Sequence, residues 1–209
     1  FKLFICNTKN INYLIKNDIY KNIYYFPPKG FINEINYINN EKKIDILFYG
    51  NINNSFNYRL DIINILKKIC LKNNLKKIIK NNLFDDEKEE LLNQTKIVIH
   101  IPSHKNLHSM PWAKIDELMN KKIFFIIEEN EEMYIQNLQN LIIYYKKNNF
   151  KDLESKILFY LNNEIEKKEI INKNYNFIKK KYDFKNVINK EVNILKLKKI
   201  YCVVNYNDL

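Results

Sequence analysis

The sequence predicts an α/β fold of the Rossmann-like type, with a parallel sheet that carries helices on both faces. Short apolar strands alternate with amphipathic helices along most of the 209 residues. Residues 97–101 and 123–127 are almost continuously apolar, which is typical of strands buried on both faces. Two glycines and four prolines are present, and most of them follow a predicted strand, where a chain turns.

The sequence of residues 1–43 is typical of the end of one α/β unit followed by a linker. Residues 2–6 form a short apolar strand, residues 9–16 a helix, and residues 23–26 a second strand that ends at a Pro-Pro-Lys-Gly turn. A polar, asparagine-rich link then runs to residue 43. We therefore expect a domain boundary there, with the main domain at residues 44–195 and a tail at 196–209.

The sequence of the main domain predicts repeated strand–helix units. Its strands are expected at residues 44–49, 75–79, 96–101, 122–127 and 141–145. Its helices are expected at residues 58–72, 85–93, 112–120, 131–138, 152–162, 164–181 and 183–195. Asp152 is the predicted cap of its helix. The acidic run at 85–90 is interpreted as a solvated helix face whose first residues suit the helix dipole.

Two loops follow strands and are candidates for ligand binding, because ligands of such sheets bind outside the carboxyl ends of the strands. The first loop contains Gly50 and Asn51, with Arg59 at the start of the next helix. Glycine lets a phosphate approach the backbone, the helix offers free N–H groups, and Arg59 offers a two-pronged donor. An ordinary turn with a surface arginine is the alternative.

The second loop contains all three histidines, His100, His104 and His108, followed by Ser109. Their spacing of four would align them on a helix as metal ligands. Pro102 interrupts any such helix, and His100 lies in a predicted strand. The pattern therefore favours a polar ligand over a metal site.

Lys114 and Glu117 lie one turn apart on the helix after this loop. They are interpreted either as a surface ion pair or as a phosphate contact from Lys114 and a ribose hydroxyl acceptor at Glu117. No Ser/His/Asp triad, thiolate pair or Walker motif is present.

The net charge of +11 raises the question of nucleic-acid binding. The composition is rich in Lys, Asn and Ile, which is typical of an A+T-rich genome. Arg59 is the one arginine among 35 basic residues, whereas nucleic-acid readers favour arginine. We therefore expect a generally basic surface and no nucleic-acid partner.

The remaining bulk features predict an intracellular protein. No apolar run has the length of a membrane span, and no secretory leader is visible. The three cysteines, Cys6, Cys70 and Cys202, lack metal-ligand spacing and are expected as reduced core thiols. We expect a cytoplasmic location. The first residue is not Met, which indicates a fragment.

Residues 44–50, followed by Arg59 and an apolar helix, resemble the opening of the carboxy-terminal domain of GT-B glycosyltransferases. Residues 96–101, 114–119 and 122–128 resemble the donor-binding segment of that family. The likeness is to the spore-coat-maturation, glycosyltransferase group 1 type and covers about residues 44–190. Residues 1–30 resemble the end of the amino-terminal domain.

The resemblance implies a hexosyltransferase type of enzyme that takes a nucleotide-sugar as substrate, without a metal or a separate cofactor. Gly50 and Arg59 would border the donor diphosphate. Asn51, His104 and Ser109, from the two candidate loops, are added as expected donor-binding residues. Lys114 replaces the arginine of the family, and Glu117 matches its second glutamate. The acceptor, a glycan, protein or lipid, and the catalytic group would involve the other domain, so the fragment alone would be inactive.

This sequence departs from the family pattern in two places. The first glutamate of the family falls near Pro111, and the glycine after the donor helix is replaced at Asn120 or Lys121. These departures leave a second hypothesis open, a non-catalytic domain that binds a glycan or a protein. A basic nucleic-acid binder is the third.

Overall fold

A computed structural model describes residues 3–5, 16–18, 23–25, 41–53, 56–105, 110–135 and 138–181. The strands are β1 (Leu3–Ile5), β2 (Ile23–Tyr25), β3 (Ile44–Tyr49), β4 (Lys77–Lys80), β5 (Thr95–Ile99), β6 (Phe125–Glu128) and β7 (Ile143–Tyr145). The helices are α1 (Asn57–Lys72), α2 (Asp85–Asn93), α3 (Trp112–Asn120), α4 (Glu131–Ile135), α5 (Phe150–Asn162) and α6 (Glu164–Lys181).

The main sheet has five parallel strands in the order β4-β3-β5-β6-β7. Strands β1 and β2 pair in parallel in a separate two-stranded sheet. The predicted Rossmann-like fold is therefore confirmed. Because β4 and β5 lie on opposite sides of β3, the chain changes direction between β3 and β5, and a crevice forms there in sheets of this kind.

Alternate residues of the strands enter two apolar layers, one on each face of the sheet. On β3, Ile46 and Phe48 pack with helices α1 and α5, whereas Leu47 and Tyr49 pack with α2 and α3. This alternation follows from the two-residue period of a strand. Burial on both faces explains why the central strands are apolar throughout.

Helix α6 contributes to both layers along its length. Ile170 and Ile171 pack against the layer of α1 and α5, and Tyr175 and Ile178 are buried in the layer of α2 and α3. The last helix of the described chain therefore crosses the end of the sheet instead of covering one face.

Several predicted boundaries are wrong in detail. Strands β4, β5 and β7 span Lys77–Lys80, Thr95–Ile99 and Ile143–Tyr145 instead of the predicted 75–79, 96–101 and 141–145, so His100 follows β5 and does not lie in it. Strand β6 begins at Phe125, not at residue 122, because Lys122 takes a positive φ of 52° at the turn after α3. The cap of α5 is Asn149, whose side chain accepts a hydrogen bond from the amide of Asp152. The carboxylate of Asp152 instead accepts from the amide of Lys146 at 2.8 Å.

Lys122, at the turn after α3, takes a backbone conformation that glycine adopts more readily than other residues. Cys70 is buried with a free thiol. The predicted features at residues 9–15, 26–40 and 182–209, with Cys6 and Cys202, lie outside the described residues.

Candidate functional site at the rim between strands β3 and β5

The candidate site is the rim formed by the carboxyl ends of β3 and β5 and the first turns of α1 and α3. Both sequence-predicted loops reach this rim, because parallel neighbouring strands end at the same edge. It is also the point at which the strand order reverses. Sheet topology therefore selects this crevice for a ligand without reference to any motif.

Arg59 joins the two loops. Its Nε donates to the carbonyl of Ile101 at 3.1 Å, and its Nη1 donates to the carbonyl of Asn51 at 2.7 Å. The guanidinium carbon lies 5.5 Å from the ring centre of Phe56 and 6.0 Å from that of Phe48. The planar fork is thus fixed by two carbonyls and two aromatic rings, which a lysine could not reproduce.

Lys114 reaches the same strand end from the other face of the sheet. Its Nζ donates to the carbonyl of Tyr49 at 2.7 Å and lies 3.5 Å from the ring centre of Tyr49. The ring centre of Phe48 is 5.7 Å away. Successive residues of β3 therefore present their rings to opposite faces, and each face supplies one cation.

Among the described residues, the positive charge of the rim is only partly offset by carboxylates. Burial lowers the pKa of Lys114 to about 7, with the charge of Arg59 as the next cause, and the carboxylate of Glu117 offsets this only in part. Burial also lowers the pKa of Arg59. Burial, followed by the charges of Lys114 and Arg59, lowers the pKa of His100 well below its ordinary value. His100 is therefore neutral at pH 7.

The helix ends add to this positive potential. Among the six described helices, α1 and α3 have no acidic residue in the first turn, whereas α2, α4, α5 and α6 each have one or more. Helix N-termini carry partial positive charge and are normally stabilised by acids. Here the first turns hold Arg59 and Lys114 instead, an arrangement that an anion would stabilise.

Gly50 forms the turn between the two cations. Its φ of 156° is rare for residues with a side chain, and its amide donates to the carbonyl of Lys80 at 3.2 Å. A Cβ atom at this position would lie 3.6 Å from Nη1 of Arg59. The backbone conformation, rather than the available space, explains the glycine.

Glu117 belongs to an ionic cluster between α2 and α3. Its Oε1 lies 2.8 Å from Nζ of Lys88 and 2.8 Å from Nζ of Lys121, and Lys121 also binds Glu89. Burial opposes ionisation, but the hydrogen bonds from Lys121 and Lys88 hold the pKa of Glu117 below its ordinary value. Glu117 is thus an anchored carboxylate close to Lys114.

The histidines of the second loop separate. His104 is exposed, lies 2.9 Å from the hydroxyl of Ser103 and meets the ring of Phe56 edge-on at 5.1 Å. His108 and Ser109 lie outside the described residues. Within the described ranges, no group of three His, Cys, Asp or Glu side chains is placed to hold a metal ion.

Two buried carboxylates near the rim were missed by sequence reasoning. Glu132 accepts from the amide of Met110 at 2.8 Å and from the indole Nε1 of Trp112 at 3.1 Å. Glu128 accepts from the hydroxyls of Tyr58 at 2.7 Å and Tyr145 at 3.1 Å, and burial raises its pKa. Glu128 is the last residue of β6 and Glu132 lies in the first turn of α4. The available signal was that these acids follow directly on the apolar run at 123–127.

The sequence matches no family model and no curated protein, whereas solved structures match its fold. A crystal structure of TarM superposes with a TM-score of 0.71 at 14% identity, over 94% of this chain and 43% of that one. A point variant of S. aureus TarM, in complex with fondaparinux, α-GlcNAc-glycerol and UDP, gives 0.70 at 14% identity, over 94% and 44%. A glycosyltransferase from Rickettsia africae ESF-5 gives 0.66 at 14% identity, over 92% and 62%.

The fold is that of these glycosyltransferase structures. The chain spans about two fifths of the TarM chains and three fifths of the Rickettsia chain. None of the helices in the described parts of the chain combines the length and apolar character that a bilayer span requires.

Proposed function

We propose that this chain is the donor-binding part of a glycosyltransferase and holds the diphosphate of a nucleotide-sugar at the rim. The observation that carries the proposal is the pair of cations, Arg59 and Lys114, in the first turns of the two helices that lack first-turn acids. A diphosphate supplies two negative charges to both helix ends and to both side chains. The glycosyltransferase fold and the UDP bound to the TarM variant support the same ligand class.

The proposed roles follow the geometry. Arg59 presents the N–H groups that remain after its two carbonyl bonds to one phosphate, and Lys114 acts on the other as a point charge. Gly50 with Asn51 lets the backbone approach. Glu117 is proposed to accept a hydrogen bond from a ribose hydroxyl. His104, with Ser109, is proposed to border the donor.

The division of labour is also a proposal. Residues 1–43 would end a preceding amino-terminal domain of a GT-B enzyme, 44–195 would bind the donor and 196–209 would form a tail. The sugar is proposed to be a hexose, and the acceptor and catalytic group would come from the preceding domain. Binding is proposed to need no metal, so EDTA should leave the dissociation constant for the donor unchanged.

Calorimetry with UDP, GDP and ADP, and with their hexose conjugates, tests the proposal at low salt. We expect one nucleotide to bind and Lys114→Met to weaken it about tenfold or more, because a charge-assisted contact is lost. Lys72→Met is the matched control, since Lys72 is 70% exposed and pairs with Glu154 away from the rim. Folded protein that gives no heat with any of these ligands would overturn the proposal.

A further experiment separates transfer from binding. The longer protein that contains this chain should hydrolyse or transfer the sugar of the nucleotide-sugar that binds. Tight binding without turnover, for every acceptor class tried, would instead favour a non-catalytic relative that only recognises its ligand.

A further inference from the structure

Tyr49 has a contact set that the binding proposal does not use. It is 9% exposed and lies at the last position of β3, next to the turn at Gly50. Its main-chain carbonyl accepts from Nζ of Lys114, and its ring lies directly beneath the same ammonium at 3.5 Å. Two independent features of one residue therefore hold one cation.

The phenol end of Tyr49 approaches the ionic cluster of α2 and α3. Glu117 and Glu89 both act electrostatically on its hydroxyl, and burial is the main cause of its raised pKa. The hydroxyl itself is buried. The side chain therefore remains neutral and offers the ammonium its ring face, with no competing charge of its own.

We propose that Tyr49 is the positioning residue of the rim, which holds the ammonium of Lys114 in place for the anionic ligand by means of its ring. The inference rests on the proposed function for the identity of that ligand. An aromatic face attracts a cation most strongly when water is excluded, and Tyr49 and Lys114 meet at a largely buried strand end. Tyr49 acts through Lys114 and need not touch the ligand.

Three variants isolate the ring. Tyr49→Phe keeps the ring, whereas Tyr49→Leu and Tyr49→Met remove it, and the main-chain carbonyl is common to all of them. Tyr175→Leu is the matched control, because Tyr175 is also 9% exposed and carries the ammonium of Lys122 at 4.2 Å, but lies on α6. Thermal unfolding identifies which variants remain folded, and Met replaces Leu if the Leu variant does not.

A double-mutant cycle with UDP supplies the decisive readout. Tyr49→Leu should weaken UDP binding about tenfold, and Tyr49→Phe should restore most of that loss. In a Lys114→Met background, Tyr49→Leu should have almost no further effect, because the cation on which it acts is gone. An equal loss in both backgrounds would overturn the proposal, since it would indicate a purely structural role.

A second readout needs no nucleotide. NMR titration of isotope-labelled lysine, with Lys114→Met for assignment, follows the charge of Lys114 in the free protein. Loss of the ring in Tyr49→Leu or Tyr49→Met should lower the pKa of Lys114, because the ring favours the charged form, whereas Tyr49→Phe and Tyr175→Leu should not. An unchanged titration in the ring-deleted variants would refute the positioning role. If none of UDP, GDP and ADP binds but the titration shifts as stated, the proposed function fails and the positioning stands.

Discussion

The guanidinium of Arg59 donates to the main-chain carbonyl of Ile101, 42 residues later in the sequence. A second bond from the same side chain, to the carbonyl of Asn51, fixes the loop that leaves β3. One side chain therefore sets the separation of the two loops that border the crevice. A ligand in that crevice therefore binds between two loops whose separation is already fixed.

Replacement of Arg59 by lysine should lower the free energy of unfolding by about 1–2 kcal/mol, because an ammonium cannot make both bonds and stack on Phe56. Urea unfolding followed by circular dichroism measures the change. Lys72→Gln, at an exposed position, should change stability by less than about 0.5 kcal/mol. Equal stabilities of the Arg59→Lys variant and the wild type would show that the fork does not brace the loops.

Glu132→Gln should destabilise the fold by about 1–3 kcal/mol, because an amide has a single acceptor oxygen for the two buried donors at Met110 and Trp112. Trp112 is the only tryptophan of the chain, so its fluorescence reports the event directly. The emission of Trp112 should move to longer wavelength, because its indole N–H loses its partner and water reaches it. Glu131→Gln, at the exposed neighbouring position, should leave the emission unchanged, and a shift of equal size there would refute the assignment.

Lys114 should make stability depend on pH in a defined window. Its pKa is about 7 in the folded chain and 10.5 ordinarily, so between these values the unfolded chain binds the additional proton. The free energy of unfolding therefore rises with pH between about 7 and 10.5. Below pH 7 the buried, charged Lys114 destabilises the folded chain by its full amount. The stability advantage of Lys114→Met over wild type should be largest at pH 6.5 and shrink by pH 9.5.

Urea unfolding of both proteins at several pH values tests this dependence. A difference for Lys114→Met that stays constant, or grows towards high pH, would contradict a buried lysine with a depressed pKa.

Glu117→Gln should weaken binding of the ribose of the proposed donor but not of its diphosphate. If the carboxylate receives a ribose hydroxyl, UDP affinity should fall about tenfold while inorganic pyrophosphate affinity changes less than about twofold. Glu154→Gln is the matched control, because Glu154 is 20% exposed and Glu117 is 22% exposed, and both pair with lysine. Equal losses for UDP and pyrophosphate would assign Glu117 to the ionic cluster alone.

The end of β3 could be predicted because an apolar run and a single glycine define it locally, whereas β5 ends at Ile99, two residues before its predicted end. Residues 44–49 form β3 as predicted, and the topology rule then places Gly50 and the loop after β5 at one edge. The helix with Lys114 was predicted with the same bounds that the structure has. These features depend on sequence periods of two and 3.6 residues, which a chain displays without its tertiary contacts.

The partners of the rim residues could not be predicted. Lys114 and Glu117 are one turn apart and suggest a mutual ion pair, but Lys114 contacts Tyr49 across 65 residues and Glu117 contacts Lys88 and Lys121. Glu132 looks like an ordinary first-turn acid and instead faces the interior near Trp112. Such choices depend on which element packs alongside, and no local pattern encodes that information.

The position of helix α6 has a consequence for how the domain unfolds. Because Ile170 and Tyr175 enter opposite apolar layers, detachment of this one segment would admit water to both faces of the sheet together. The two apolar layers are therefore expected to unfold together when α6 detaches. Amide hydrogens of the central strands should exchange through a single cooperative event, at a rate set by the release of the last helix.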